Sequence, residues 1–282
     1  MNIKRKIEAI GAPLKNWNVN IYRGILTGCN EAFIISGEKK NSLIQEDPRS
    51  AEIIRPILRG RDIKRYGYDF ADLWLLWVPW HFPLHFDETI QGASEKAESL
   101  FRTHYPAVYN HLLQYKDLLS NRNQAETGIR YEWYALQRWG AKYWDDFSKQ
   151  KIAWARLSRI SKKDFDGFPR FSILEEDMMT LDSLCFLVGE NLDVLVKLLN
   201  SKYAAFYFFN NVAILDNGGM QMRQQYVENI PLPPINLIKG ANGFIDEMQI
   251  NHQIFRAFNF SDSEIDYIDH FLQMKKETIE NR

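Results

Sequence analysis

The chain has 282 residues, of which 45% are hydrophobic and 25% are charged, so it is long enough to bury a substantial core. Its formal net charge is −1, so the chain does not belong to the class of strongly basic proteins that attract nucleic acid through their overall charge. Two cysteines far apart in sequence exclude a disulfide framework, and a reducing cytoplasm is the expected location. No apolar run reaches transmembrane length, and we expect no membrane contact.

The first quarter of the chain is expected to be mainly β-structure. Residues 1–12 are predicted to form a short basic helix, and residues 1–17 to link an upstream domain to this one. Strands are predicted near 19–26, 31–36, 53–58 and 73–78, where β-branched and aromatic residues cluster. Gly24 and Gly28 bracket Thr27, and Asn30 follows, which predicts a tight turn. The alternative is that these residues contact a ligand directly.

The remaining chain mixes helices and strands. Residues 94–122 carry one apolar stripe at helical spacing, and Pro106 predicts a helix start or a kink within it. Strands are predicted at 151–156, 171–174 and 182–188, then a helix at 191–209 and a stiff extended connector at 231–234. Ser261 and Glu264 have the spacing of a capping box that begins a last helix. The expected fold class is α+β: a twisted, mostly antiparallel β region packed with helices, followed by a helical C-terminal part.

Charge is distributed unevenly along this framework. Residues 49–65 contain six basic and two acidic side chains, and residues 149–170 contain seven basic and two acidic ones. The C-terminal residues 244–282 contain four basic and eight acidic side chains. A nearly neutral chain with two basic segments can still present one positive face.

Each basic segment contains side chains that suit DNA. In the first segment, Arg59-Gly60-Arg61 would present two guanidinium groups, which match phosphate oxygens and the guanine edge in bidentate fashion. In the second, residues 156–163 interleave hydroxyls with cations, a combination that suits phosphate contacts. Downstream, Gln221 and Arg223 can pair with base edges. A solvated charged face or an exposed polar loop is the alternative in each case.

Several blocks of sequence, in order, resemble one known family. RGILTGCNEAFII (residues 23–35) and IIRPILRGRDIKRY (residues 53–66) are similar to the start of the C-terminal specificity domain of TaqI-like adenine DNA methyltransferases. That domain also occurs in single-chain type IIG restriction–modification enzymes. Further similar blocks lie at 101–122, 131–138, 151–156, 198–208 and 229–235. We therefore expect a specificity domain at residues 18–235 and a C-terminal helical extension at 236–282.

The resemblance implies the targeting part of an enzyme whose catalytic part lies elsewhere. TaqI-like methyltransferases carry an Asn-Pro-Pro catalytic motif and a glycine-rich S-adenosylmethionine site, and this chain has neither. We expect no catalytic residue, metal ligand or cofactor here, whereas the parent enzyme would use S-adenosylmethionine and Mg²⁺. The implied partners are double-stranded DNA and upstream methyltransferase or nuclease domains.

The residues expected to bind DNA come from both basic segments, the glycine-bracketed turn and the polar segment near residue 222. They are Arg23, Thr27, Asn30, Arg59, Arg61, Lys64, Arg65, Arg156, Arg159, Lys162, Lys163, Gln221 and Arg223. Asp62 is expected to hold Arg61 or a backbone amide.

Two other functions remain open from the sequence. Asp47, Asp62 and Lys64 have the loose acidic–x–lysine spacing of Mg²⁺-dependent nucleases, in which carboxylates and a lysine bind the metal and activate water. The second alternative is not an enzyme: it is a module that binds protein or single-stranded nucleic acid.

Overall fold

The computed structural model describes residues 2–161, 164–215, 218–238 and 246–280. It confirms the α+β class, because antiparallel sheets pack against helices. The helices in chain order are α1 (Ile3–Ile10), α2 (Asn30–Phe33), α3 (Gly37–Glu46), α4 (Glu95–His104), α5 (Pro106–Leu113), α6 (Lys116–Asn121), α7 (Leu192–Leu199), α8 (Lys202–Asn211), α9 (Gln224–Val227), α10 (Glu247–Ala257) and α11 (Asp262–Glu280).

The strands are short, and most pair in two four-stranded sheets. In chain order they are β1 (Ala12–Pro13), β2 (Val19–Arg23), β3 (Ile34–Ser36), β4 (Ile54–Leu58), β5 (Leu73–Leu76), β6 (Lys151–Ala155), β7 (Ser158–Arg159), β8 (Phe171–Leu174), β9 (Met179–Thr180), β10 (Leu184–Gly189), β11 (Gly219–Met220) and β12 (Pro231–Leu232).

A central antiparallel sheet, in the order β2-β10-β6-β8, separates two hydrophobic cores. Alternate residues of β10 point to opposite faces, as strand geometry requires. Phe186 lies in the first core, whereas Cys185 and Leu187 lie in the second. Because both faces of β10 are buried, its sequence is a continuous apolar run rather than an alternating one.

The first core also contains the second sheet, in the order β3-β5-β4-β9, and helices α3 to α6. Its strands are antiparallel except for the β4–β9 pair, which is parallel. This parallel pair places Leu58 beside Thr180. As a result, the turn that follows β4 lies next to the turn that joins β9 to β10, with a hydrogen bond from Gly60 to Ser183.

The second core is built from α1, α7, α8, α10 and α11 against the other face of the central sheet. Ile3 and Ile7 of α1 are buried in it, four residues apart on one helical face. Lys6 forms an ion pair with Glu264 of α11, with 2.6 Å between nitrogen and oxygen. Residues of the predicted linker and of the predicted C-terminal extension therefore share one core.

Several predicted elements differ in detail from the structure. Residues 31–36, predicted as a strand, begin with helix α2, which buries Ala32 and Phe33 before β3 starts. The helical region 94–122 is three helices, and Pro106 begins α5 as expected, since its ring suits a first helical turn. Residues 231–234, predicted as a stiff extended connector, are extended at their start, where β12 also pairs with β1.

The helix predicted at 191–209 is divided into α7 and α8 at Asn200 and Ser201. The Asn200 side chain accepts a hydrogen bond from the backbone nitrogen of Phe171 and donates one to its carbonyl, both at 2.9 Å. Ser201 then caps α8 by accepting a hydrogen bond from the backbone nitrogen of Ala204. Apolar periodicity continues through this break, so periodicity alone did not reveal it.

No helix in the described ranges is long and apolar enough to cross a membrane.

Candidate nucleic-acid interface

A groove of about 780 Å³ opens where the turns after β4, β6 and β9 meet. We call it the cationic groove. Its lining residues come from distant parts of the chain: Asn30, Arg59, Gly60, Arg61, Ile63, Lys64, Ala155, Arg156, Leu157, Arg159, Asp164, Arg170, Leu181, Asp182, Ser183, Leu215, Gln221 and Arg223.

Cations dominate the charge of the groove. Asp164 and Asp182 are its acidic lining residues, and the cationic ones are Arg59, Arg61, Lys64, Arg156, Arg159, Arg170 and Arg223. Seven cations against two carboxylates concentrate positive potential in a chain whose net charge is −1. Such a concave positive surface attracts a polyanion and would bind phosphates with release of counterions.

Arg59 is held in place by the buried carboxylate of Asp62. Its Nε and Nη2 donate to Oδ2 and Oδ1 of Asp62 at 3.0 and 2.8 Å, and its backbone nitrogen donates to Oδ2 at 2.8 Å. The hydrogen bond to Asp62 raises the pKa of the Arg59 guanidinium, although burial opposes the shift. Asp62 thus holds Arg59 and its backbone amide rather than Arg61, whose side chain stays exposed.

One turn, at Asp182 and Ser183, joins the segments on either side of the groove. The Asp182 carbonyl accepts a hydrogen bond from Nη1 of Arg156 at 2.9 Å, and its carboxylate pairs with Nη2 of Arg23 at 2.7 Å. The Ser183 hydroxyl accepts from the backbone nitrogen of Gly60, and its carbonyl accepts from that of Arg156, both at 2.9 Å. The relative position of the two basic segments is therefore fixed by direct hydrogen bonds.

The wall of the cationic groove around Arg159 is held in place by the pairing of two strands and by the side chain of Arg170. Strand β7 pairs with β11, which places Arg159 opposite Gly219 and brings the polar segment 221–223 alongside. Arg170 donates to the Arg159 carbonyl at 2.6 Å and pairs with Asp164 at 3.5 Å. Burial lowers the pKa of Arg170, and Asp164 opposes that shift. Arg170 consequently serves as an internal support of this wall.

Three cations of the groove are available to a ligand. Within the described ranges, the exposed side chains of Arg61, Arg159 and Arg223 form no ion pair with a carboxylate. Lys64 pairs with Asp69 at 3.1 Å, and both of these side chains are more than half exposed, so that pair is weak. Unpaired guanidinium groups in a concave site are suited to bidentate contacts with phosphates or base edges.

The structure places eight of the predicted DNA-binding residues in the cationic groove: Asn30, Arg59, Arg61, Lys64, Arg156, Arg159, Gln221 and Arg223. Arg23 is not a lining residue, but it forms an ion pair with Asp182, which is one. Lys162 and Lys163 lie outside the described residues.

Two predicted residues are placed elsewhere. Thr27 is only 1% exposed; its hydroxyl donates to Asn30 Oδ1 at 2.7 Å and accepts from the backbone nitrogen of Cys29 at 3.2 Å. Thr27 thus has the turn-forming role that the flanking glycines predicted, and the alternative of direct ligand contact does not apply to its buried side chain. Arg65 lines a second groove, where it pairs with Glu247 and donates to the Pro169 carbonyl.

The sequence did not reveal the structural roles of two cations in the second basic segment, Arg170 and Lys151. Arg170 was counted within the second basic segment, but its supporting role depends on contacts with Arg159 and Asp164 that only the tertiary structure provides. Conversely, Lys151 was counted among the cations of the same basic segment but is fully buried, with its ammonium donating to three backbone carbonyls at 3.1–3.2 Å. Burial lowers the pKa of Lys151 to about 8.

The residues of the nuclease alternative have separate partners. Asp47 accepts hydrogen bonds from the backbone and side chain of Arg49, and it does not line the groove. Both carboxylate oxygens of Asp62 are engaged by Arg59, and Lys64 pairs with Asp69. In the part of the chain that the structure describes, no group of three or more His, Cys, Asp or Glu side chains is arranged to hold a metal ion.

Comparisons with known proteins give relatives at low sequence identity. Type II methyltransferase M.MjaIV of Methanocaldococcus jannaschii is 23% identical over 252 residues, which cover 87% of this chain and 76% of that protein. The structure of the Type IIL restriction-modification enzyme MmeI in complex with DNA matches 97% of this chain with a TM-score of 0.59 and 13% identity. That likeness shows a shared fold, and this chain spans 37% of the length of MmeI. The type IIG restriction endonuclease BpuSI matches with a TM-score of 0.44 and 14% identity, over 90% of this chain and 27% of its own.

A match to a family model over more than half of the chain shows which family the chain belongs to. Residues 55–232 match the model of the TaqI-like C-terminal specificity domain. This range contains the turn after β4, the turn at Asp182 and Ser183, and the polar segment 221–223. Most of the residues that line the cationic groove therefore fall within it. The chain belongs to the family of TaqI-like C-terminal specificity domains.

Proposed function

We propose that this chain recognises a specific sequence in double-stranded DNA and positions it for a catalytic domain of a type II restriction–modification enzyme. One observation carries the proposal. Eight residues selected from the sequence as DNA-binding candidates, in four separate segments, line one cationic groove of a domain from the TaqI-like specificity family.

The groove offers two kinds of contact that a sequence-specific DNA-binding protein needs. Arg61 and Lys64 on one side and Arg159 on the other provide exposed cations for phosphates, which position the duplex and give affinity. Gln221 and Arg223 provide bidentate hydrogen-bonding groups for base edges, which give specificity. Both sets belong to segments that are held in place by hydrogen bonds to the turn at residues 182–183 or by the β7–β11 pairing. Binding of DNA should therefore cost little conformational entropy in these segments.

Catalysis is assigned to domains outside this chain. A methyltransferase domain would flip an adenine out of the duplex and methylate its N6 with S-adenosylmethionine, and an attached nuclease would use Mg²⁺ to cleave nearby. The comparison with the Type IIL restriction-modification enzyme MmeI supports this assignment, since this chain spans only 37% of the length of that enzyme. The glycine-rich loop and the Asn-Pro-Pro motif of such methyltransferases are absent from the chain.

The test is binding of the chain to a randomised duplex library at low and moderate salt, followed by sequencing of the retained DNA. The affinity of non-specific binding through phosphates falls steeply as the salt concentration rises. A specific sequence of several base pairs should remain enriched at the higher salt concentration. We expect such a sequence. Salt-sensitive binding without enrichment would overturn sequence recognition by this chain, and the absence of binding at both salt concentrations would favour a protein-interaction module.

A matched pair of variants connects the result to the groove. Arg223→Ala removes an unpaired groove guanidinium and should relax the enriched sequence at one or two positions. Arg102→Ala removes an exposed guanidinium on α4, outside the groove, and should leave the enriched sequence unchanged. Equal behaviour of the two variants would contradict the assignment of the groove as the DNA-binding surface.

A further inference from the structure

Leu157 is an exposed apolar side chain on the wall of the cationic groove. It is 52% exposed, whereas its neighbours Ala155 and Ser158 are buried at 6% and 4%. It lies in the turn between β6 and β7, flanked by the groove cations Arg156 and Arg159. The sequence offered no reason to single it out, because lone exposed leucines are common on protein surfaces.

The turn that carries Leu157 is held on both sides. Before it, the backbone nitrogen and Nη1 of Arg156 donate to the carbonyls of Ser183 and Asp182, each at 2.9 Å. After it, Ser158 pairs with Met220 in the β7–β11 ribbon. The position of the leucine relative to Arg159 and the polar segment 221–223 is therefore set before any ligand arrives.

An apolar group in a DNA-binding groove has one natural counterpart on the base edges of the major groove. Nitrogen and oxygen atoms there are recognised by hydrogen-bonding side chains, whereas the 5-methyl group of thymine is apolar and is recognised by apolar contact. The side chains that line the groove near Leu157 include Arg159, Gln221 and Arg223, whose bidentate groups suit major-groove edges. An apolar contact, which these hydrogen-bonding groups cannot make, is within the chemistry of Leu157.

We propose that Leu157 is a specificity-determining residue that recognises the 5-methyl group of a thymine in the target sequence. This inference rests on the proposed function, since it requires a duplex in the groove. It goes beyond that function by assigning one chemical feature of the target to one side chain.

A double-mutant cycle between protein and DNA tests the inference. Each thymine of the enriched sequence is replaced in turn by deoxyuridine, which removes only the methyl group, and binding of the 282-residue chain is measured by fluorescence anisotropy. At one position the wild-type chain should bind the uracil duplex about fourfold more weakly, as expected for the loss of one buried methyl group. Leu157→Ala should bind the thymine and uracil duplexes at that position equally.

Two further variants serve as controls. Leu157→Met keeps an apolar side chain of similar size and should retain discrimination against uracil. Leu118→Ala removes a similarly exposed leucine from α6, outside the groove, and should behave as wild type. Thermal unfolding of Leu157→Ala should match wild type, because an exposed side chain contributes little to the core.

Several results would overturn the inference. These are a target sequence without thymine, persistent discrimination against uracil in Leu157→Ala, or an equal loss of affinity for both duplexes; the last would indicate packing or insertion between bases. All three leave the proposed function standing. If the library yields no enriched sequence, the proposed function fails and thymine recognition fails with it.

Discussion

Arg59 and Arg61 stand two residues apart, yet only Arg59 reaches the buried carboxylate of Asp62. A carboxylate that engages one guanidinium with both oxygens fixes that arginine as part of the protein framework. Arg61 keeps its hydrogen-bonding capacity for a ligand. The same division separates the internal support Arg170 from the exposed Arg159. At the residue scale, the partner of each cation decides whether it stabilises the groove or binds in it.

Arg61→Ala should weaken DNA binding without affecting folding, because Arg61 is exposed and forms no ion pair in the described ranges. The plot of log K against log salt concentration should become shallower by about one unit, as expected for the loss of one phosphate contact. Titration at several salt concentrations measures this slope. Arg102→Ala is the control, and an unchanged slope for Arg61→Ala would exclude a phosphate contact at this residue.

At the scale of elements, helix ends depend on polar side chains more than on apolar periodicity. The stripe of residues 191–209 predicts one helix, but the paired side chain of Asn200 and the cap of Ser201 divide it. Likewise the region 94–122 becomes three helices with Pro106 at the start of one. Periodicity locates the buried face of a segment, whereas these polar contacts locate its ends.

Ser201→Ala should lower the free energy of unfolding by about 1–2 kcal/mol, since it removes a buried N-cap hydroxyl that also donates to the Leu198 carbonyl. Urea denaturation followed by circular dichroism measures the change. Ser99→Ala, an exposed substitution within α4, should be neutral or slightly stabilising because alanine favours helix. A loss as small as that of the control would show that the cap contributes little.

The contact between α1 and α11 should weaken in acid. Hydrogen bonds from Lys6 and from the backbone nitrogens of Ser261 and Asn2 lower the pKa of Glu264 to about 2. A carboxylate with a lowered pKa contributes its full stabilisation above its ordinary pKa, near 4.3, and loses it as the pH falls towards 2. Glu264→Gln should therefore be less stable than wild type at pH 7, and the difference should shrink between about pH 5 and pH 2.

Urea denaturation across this pH range measures the effect. The control is Glu88→Gln, which makes the same chemical change at an exposed loop position and should show a small difference at every pH. A difference between Glu264→Gln and wild type that stays constant down to pH 2 would contradict the lowered pKa.

At the scale of the whole molecule, the central sheet is shared by two hydrophobic cores. Phe186 packs into the core with the second sheet, and Leu187, the next residue, packs into the core with the C-terminal helices. Both side chains are fully buried. Loss of the sheet would expose both cores together, so we expect the described parts of the chain to unfold as one cooperative unit.

Phe186→Ala should cost about 3–5 kcal/mol and Leu187→Ala about 2–5 kcal/mol, because each leaves a cavity in a different core. Both substitutions should shift the same single transition. Urea denaturation followed by tryptophan fluorescence and by circular dichroism should give coincident midpoints for each variant. Separate midpoints, with each substitution moving only one of them, would show that the cores unfold independently.

Much of the molecule is encoded locally in the sequence. The predicted strands at 151–156, 171–174 and 182–188 are found, because runs of β-branched and aromatic residues favour buried strands. The ordered blocks also predicted the specificity-domain family, which the match over residues 55–232 confirms. Residue type alone selected most of the groove cations, since guanidinium and ammonium groups are the usual partners of phosphate.

Only the tertiary structure decided which of these candidates act together. Asp182 pairs with Arg23, 159 positions away, and Arg65 is drawn into a different groove by Glu247, 182 positions away. Thr27 is removed from the surface by burial of its turn. Local patterns determine which segments form strands and which side chains are cationic. The partner of each charge depends on long-range packing, and a local pattern does not contain that information.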